Sequence, residues 1–224
     1  MSGGLTPDQG SEGSVAVEQE LPAAAREWGR IIETKNLLPG DLVLVRSISP
    51  DRVSKSIENA QLKGGFPQRH AQWTHAAVYL GDGEYICEST FKESLTRGGV
   101  VMRSLFNYCD GKHAIRVRRP KVSSDRQRIK IVIGALNHMG KSYSWFELLS
   151  FMSAAQSGRG FWQNGQRQRI RTGALVCSTL YQDAFNFSFS GTTVRMGTLC
   201  TPAHLSASPD FENASPHIGW LALD

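Results

Sequence analysis

Trp73-Thr74-His75-Ala76-Ala77-Val78-Tyr79-Leu80, then Gly81-Asp82-Gly83, then Glu84-Tyr85-Ile86-Cys87-Glu88-Ser89-Thr90: this stretch decides the fold. Two runs rich in β-branched and aromatic residues flank an Asp-Gly pair, which takes the positive φ angles of a tight turn. The reading is a β-hairpin. A two-residue loop pairs odd with even positions, whether it is Gly81-Asp82 or Asp82-Gly83. Either way His75 and Glu88 share a face, directly opposite or one diagonal step apart. A carboxylate beside an imidazole orients the ring and stabilises its charged form. Between Cys87 and the apolar run before it, a lone carboxylate would be expensive. Cys87 alternates with Glu88 and is expected to face away, into the core.

Outward from the hairpin, Val100–Leu105 and Ala114–Val117 read as further strands. Leu42-Val43-Leu44-Val45 reads as a short buried strand behind the turn Leu38-Pro39-Gly40-Asp41. Together they predict an antiparallel sheet. Helical patterns surround it. Ala23, Ala24, Ala25, Trp28, Ile31 and Ile32 mark an amphipathic helix within 21–35. A mixed helix and loop fills 51–69. Ser124 opens a helix with Gln127 placed for a capping box, and Ile129, Val132, Ile133, Leu136 and Met139 are its expected buried stripe. Residues 143–155 read as helical and 156–172 as a basic insert rich in Gly, Gln and Arg. The end of the chain, with Pro202, Pro209 and Pro216, reads as mostly irregular. The fold class is α+β, a small antiparallel sheet packed against helices. It forms one domain over 21–224 behind a flexible tail of residues 1–20.

Cys177 follows Ala174-Leu175-Val176 and opens the helical run Ser178-Thr179-Leu180-Tyr181. Free N–H groups and the dipole at a helix start favour a thiolate there and bind a developing oxyanion. The small neighbour Ser178 does not block access. Cys177, His75 and Glu88 supply a thiol, a base and an orienting group, the set that nucleophilic acyl transfer needs. The set works only if the helix start and the hairpin meet.

The order of these pieces resembles the permuted NlpC-type proteins, papain-like amidases and acyltransferases that include YiiX-like and lecithin–retinol-acyltransferase-like groups. Thr74 to Gly83 with Ile86-Cys87-Glu88 resembles their histidine hairpin. Leu38-Pro39-Gly40-Asp41-Leu42 resembles their opening strand, and Gly140-Lys141-Ser142-Tyr143 their Gly-x-x-Tyr segment near the site. Val176 to Leu180 resembles the nucleophile helix, and Thr201-Pro202-Ala203-His204-Leu205 the Thr-Pro segment after it. The histidine strand precedes the cysteine helix, the reverse of ordinary NlpC-type peptidases. The resemblance runs from about Leu37 to Leu205 and implies a circularly permuted papain-like fold. It implies Cys177 as nucleophile, His75 as base and Glu88 as the third polar residue. Tyr143, Ser178 and Trp73 are expected to touch substrate. The Arg-rich insert departs from the family pattern.

Four cysteines without a C-x-x-C pair argue against a zinc site, and no H-x-x-x-H spacing suggests a metal. No metal or organic cofactor is expected. No run approaches the roughly 18 apolar residues of a membrane span, and the start has no basic and apolar leader. We therefore expect a chain made soluble in the cytoplasm, exported, if at all, by a leaderless route. The net charge of +5 favours anionic partners. The expected substrate is a peptide amide of the bacterial cell wall, in an antibacterial effector with a secretion-system or immunity partner. Two alternatives stand beside it. One is a lipid acyl ester or amide, with Arg159, Arg167, Arg169 and Arg171 of the insert touching a membrane surface. The other is a binding module on an inactive scaffold. Nucleic acid is not an expected partner, because basic and aromatic residues do not interleave.

Overall fold

The structure is a computed structural model, and it describes residues 21–81, 83–90, 98–121, 124–142, 176–189, 200–214 and 218–223. The tail, the expected helix at 143–155 and the basic insert at 156–172 lie outside the described residues.

The elements run α1 (Ala23–Trp28), β1 (Arg30–Ile32), β2 (Leu42–Ser47), α2 (Arg52–Lys63), α3 (Gln68–Ala71), β3 (His75–Tyr79), β4 (Tyr85–Thr90) and β5 (Gly99–Ser104). A 3₁₀ turn (Leu105–Tyr108) follows, then β6 (His113–Pro120), α4 (Asp125–Leu136), α5 (Cys177–Ser188), α6 (Pro202–Ala207), β7 (Phe211–Asn213) and β8 (Trp220–Ala222). Six strands form an antiparallel sheet in the order β5-β4-β3-β2-β6-β7, and β1 pairs with β8 in a separate ribbon. The α+β class expected from the sequence is what the chain adopts.

β2 is central and covered on both faces, which is why it reads as a continuous apolar run. Leu42 and Leu44 join Ala76, Val78, Cys87 and the α5 residues Leu180, Tyr181, Ala184 and Phe185 in one core. Val43 and Val45 join Ala77, Tyr79, Ile86, Leu105 and Phe106 in a second core on the other face. Asp41, fully buried at the head of β2, accepts two hydrogen bonds from Arg119 of β6, at 3.1 and 2.8 Å, and lies 3.6 Å from Arg128 of α4. Tyr181 of α5 donates to the Gly40 carbonyl at 2.7 Å. The turn before β2 thus joins sheet and helices.

Three expectations are corrected. The helix expected within 21–35 stops at Trp28, because Gly29 adopts φ 73° and its N–H closes the helix on Ala25 and Arg26. Ile31 and Ile32 therefore fall in β1. The buried stripe of α4 shares only Val132 with the expected one. Ile131, Val132, Gly134 and Ala135 are buried, whereas Ile129, Ile133, Leu136 and Met139 are exposed. The cause is close helix packing: a Cβ on Gly134 would sit 2.9 Å from the Ala184 Cα, so small residues, not large ones, mark the contact. The chain end carries α6, β7 and β8 where irregular structure was expected. Thr201 caps α6 and Pro202 occupies its first position, which suits both residue types.

Candidate active site

β3 and β4 pair in the register that sets Ala77 opposite Glu88, one of the two the hairpin allows. His75, two residues before Ala77, lies diagonally across from Glu88. Its Nε2 is 2.7 Å from Glu88 Oε2. The imidazole is 20% exposed and the carboxylate is fully buried, so the pair is shielded inside and open on the histidine side.

Two further groups hold the carboxylate. The Tyr108 hydroxyl donates to Glu88 Oε2 at 2.6 Å, and Arg103 Nε lies 3.6 Å from Glu88 Oε1. The Tyr108 ring stands 6.0 Å from the His75 ring and 5.3 Å, edge-on, from that of His113. Sequence reasoning missed both groups. Arg103 carried a readable signal, since it lies opposite Ile86 and hence diagonal to Glu88 on a strand already predicted. Tyr108 sits in a single 3₁₀ turn, which has no periodicity to read.

Cys177 is the first residue of α5, and its thiol lies within hydrogen-bond reach of the His75 ring. α5 packs on one face of the sheet while the His–Glu pair belongs to the other. They meet at the end of β3, where His75 is the first strand residue. Val176, the N-cap, has no side-chain acceptor, and among the described residues no side chain caps this end. The Thr179 hydroxyl instead accepts from the Val176 N–H at 3.1 Å and donates to its carbonyl at 2.9 Å. Among the described residues no side chain accepts from the first-turn amides of α5, which have no acceptor within the helix.

The charges are coupled. Burial opposes a proton on His75, but the adjacent Cys177 sulfur and Glu88 outweigh it and raise the imidazole to about 10. Burial alone would push Glu88 up. Its hydrogen bonds with His75 and Tyr108, with the positive charges of His75 and Arg103, bring it below the ordinary carboxylate range. Tyr108 is driven well above its ordinary value by burial and by the carboxylate it serves, so it remains a donor. Burial pushes Cys87 up to about 12 and Cys109 up to about 11, which leaves both as inert core thiols.

Two of the other expected contact residues, Ser178 and Trp73, are buried. Ser178 is 2% exposed, and its hydroxyl donates to the Cys200 carbonyl at 2.7 Å, tying α5 to the chain before α6. Trp73 belongs to the buried core packed against α5, with 7% exposure. Its carbonyl accepts from the fully buried Gln61 at 2.9 Å. Tyr143 lies outside the described residues.

A family model described as the permuted papain-like amidase enzyme, YaeF/YiiX, C92 family, matches residues 36–148. No curated protein and no solved structure matches. The matched span includes His75, Glu88, Arg103 and Tyr108 but ends before Cys177, so the place of the thiol rests on the geometry above.

Proposed function

This chain belongs to the permuted papain-like amidases of the YaeF/YiiX, C92 family, a cysteine amidase or peptidase in general, and from that premise we propose that Cys177, His75 and Glu88 are its catalytic residues. The observation that carries the assignment is the line of thiol, imidazole and buried carboxylate, with Glu88 2.7 Å from one ring nitrogen and Cys177 within reach of the ring. A chain that had kept only the scaffold would have no reason to bury a carboxylate with a hydroxyl donor and an arginine countercharge behind a histidine.

The reaction is acyl transfer. Glu88 holds Nε2, so Nδ1 faces the thiol and takes its proton. The thiolate attacks the amide carbonyl carbon, and the oxyanion is held by the uncapped amides at the start of α5. His75 returns the proton to the leaving nitrogen as the C–N bond breaks, leaving a thioester on Cys177. Water, deprotonated by His75, attacks the thioester, and the carboxylic acid and the free thiol are released.

We further propose that the amide belongs to a cell-wall peptide. The family description names an amidase, and the net charge of +5 suits an anionic polymer. Action on a neighbouring cell's envelope after leaderless export extends this reading. Its check is expression directed to a bacterial periplasm, where the wild type should be toxic and Cys177→Ala harmless. The primary test is digestion of peptidoglycan fragments by wild type and Cys177→Ala, read by mass spectrometry, with phospholipid vesicles alongside. New peptide or amine ends that vanish in the variant are expected. Cleavage of vesicle lipids alone, or equal profiles for both proteins, would sink the cell-wall reading.

A further inference from the structure

A second cluster of functional groups lies away from the Cys–His–Glu line, where α3, β6 and α6 come together. Leu44 pairs with both Ala76 and Arg116, which places Arg116 on the sheet face that carries α5 and α6, two strands from the start of β3. Arg116 Nη1 donates to Ser206 Oγ at 2.9 Å, and its Nε reaches Asn213 Oδ1 at 3.4 Å. Arg69 Nε donates to His70 Nε2 at 3.3 Å, so the ring proton sits on Nδ1, which donates to the same Ser206 Oγ at 2.9 Å. Partial burial, then the fields of Arg69, Arg116 and Arg118, lower His70 and keep it neutral.

The donors outnumber the acceptors. Ser206, 1% exposed, already accepts twice, so both lone pairs are used and its own O–H has no acceptor among the described residues. A buried hydroxyl in that state is costly. Among the described residues Arg118 donates to the carbonyls of Leu205, Ser206, Ser208 and Phe211 and lies over the Phe211 ring, none of which carries a countercharge. Among the described residues no carboxylate lies within ion-pair distance of Arg69, Arg116 or Arg118, and the nearby Glu58 is engaged with Gln68. Three guanidinium groups and an unanswered hydroxyl want the same thing, an anionic oxygen ligand.

We propose that Arg69, Arg116 and the Ser206 hydroxyl form an oxyanion-binding subsite that takes a carboxylate or phosphate carried by the substrate. Ser178 ties the start of α5 to Cys200, and α6, which begins two residues on, spans only about 6 Å from Pro202 to Ser206. An extended peptide whose amide sits at Cys177 reaches that distance within a few residues. That the anion belongs to the substrate rests on the amidase reading, whereas binding of an anion there does not.

The test uses the full chain as Cys177→Ala, which removes turnover, and follows the His70 ring by NMR. The probes are inorganic phosphate, N-acetylalanine and its amide. Saturable shifts of His70 with phosphate and with the acid, and none with the amide, are expected. Adding Arg116→Gln should weaken the binding about ten-fold or more. Arg69→Gln, at an exposed position, provides the same reading should the first variant fail to fold. Shifts with phosphate alone assign the site to a phosphate-bearing group. No shift, or equal shifts in parent and both arginine variants, overturns the subsite and leaves the amidase reading standing. Loss of activity in Cys177→Ala tests that reading separately.

Discussion

The proton on His75 sets the pH behaviour of the whole site. Its folded value of about 10 lies above the ordinary 6.5. The pairing therefore contributes its full stability below about pH 6.5 and loses it as the pH rises through about 10. Glu88 has the opposite sign. It is lowered, so its contribution is present above the ordinary carboxylate value and fades as the pH falls through the folded one. The charge pair beside the thiol, imidazolium with carboxylate, is bounded by the same two events. Alkylation of Cys177 by iodoacetamide, measured against pH, should thus respond to both events, with an acid limb set by Glu88. It should change on the alkaline side near 10, where the imidazolium is lost. Cys87 and Cys109 are fully buried and held at high values, so they add little signal at neutral pH. Tyr108→Phe removes a donor to the carboxylate, a charge-assisted bond of about 1.5–3 kcal/mol. Glu88 should rise, the acid limb should move to higher pH, and amide turnover should fall by roughly ten-fold or more. An unmoved acid limb would assign Tyr108 to packing alone. Glu88→Gln keeps the shape and loses the charge, and it should cost on the order of 10²–10⁴ in turnover.

At the scale of elements, the position of the thiol depends on how closely α4 and α5 approach. Gly134 lies over Ala184 with no room for a side chain: an added Cβ would meet its Cα at 2.9 Å and its carbonyl at 3.0 Å. Gly134→Val should push α5 outward, at a cost of about 1–3 kcal/mol for overpacking. It should also slow Cys177 alkylation although the substitution touches no catalytic group. Urea unfolding and the labelling rate check the two effects together. The elements that carry the site were the legible ones. The hairpin announced itself through period-two alternation and Asp-Gly, and the start of α5 through its apolar lead and helical register. Ser124 does accept from the Gln127 N–H, at 3.4 Å, at the start of α4. The elements misread were those decided by contacts distant in sequence. Of the large apolar residues expected on the buried stripe of α4 only Val132 is buried; the face combines Ile131 and Val132 with the small Gly134 and Ala135, and Gly134 lets α5 approach. β7 and β8 have three residues each, too few to show a period, and exist because β6 and β1 are there to pair with them. Tyr108 reaches Glu88 across 20 residues of sequence, a contact no local pattern records.

Across the whole molecule, one buried charge joins the layers that the reaction needs in register. Asp41 binds Arg119 through both carboxylate oxygens, accepts from the Leu38 N–H at 2.9 Å, and lies within ion-pair distance of Arg128. These contacts fix β2 against β6 and set α4 over the head of the central strand. β2 also pairs directly with the strand that carries His75, with Val45 opposite it. α4 in turn is the platform for α5 and Cys177. The two halves of the site are therefore referenced to a single carboxylate that takes no part in the chemistry. Asp41→Asn keeps the volume but removes the buried countercharge of Arg119 and leaves Arg128, whose buried Nη1 already lacks a hydrogen bond, only the exposed Asp125 at 4.0 Å. Breaking such a pair on one side costs about 3–5 kcal/mol. Replacing Arg119 with Met as well removes one of the stranded charges. The double variant should therefore recover part of the loss, and a denaturant series on the two single variants and the pair measures the coupling. If the energies simply add, Asp41 is a local anchor of the turn. If they couple by more than about 1 kcal/mol and the alkylation rate of Cys177 tracks stability across the series, the ion cluster is what holds thiol and imidazole at their working separation.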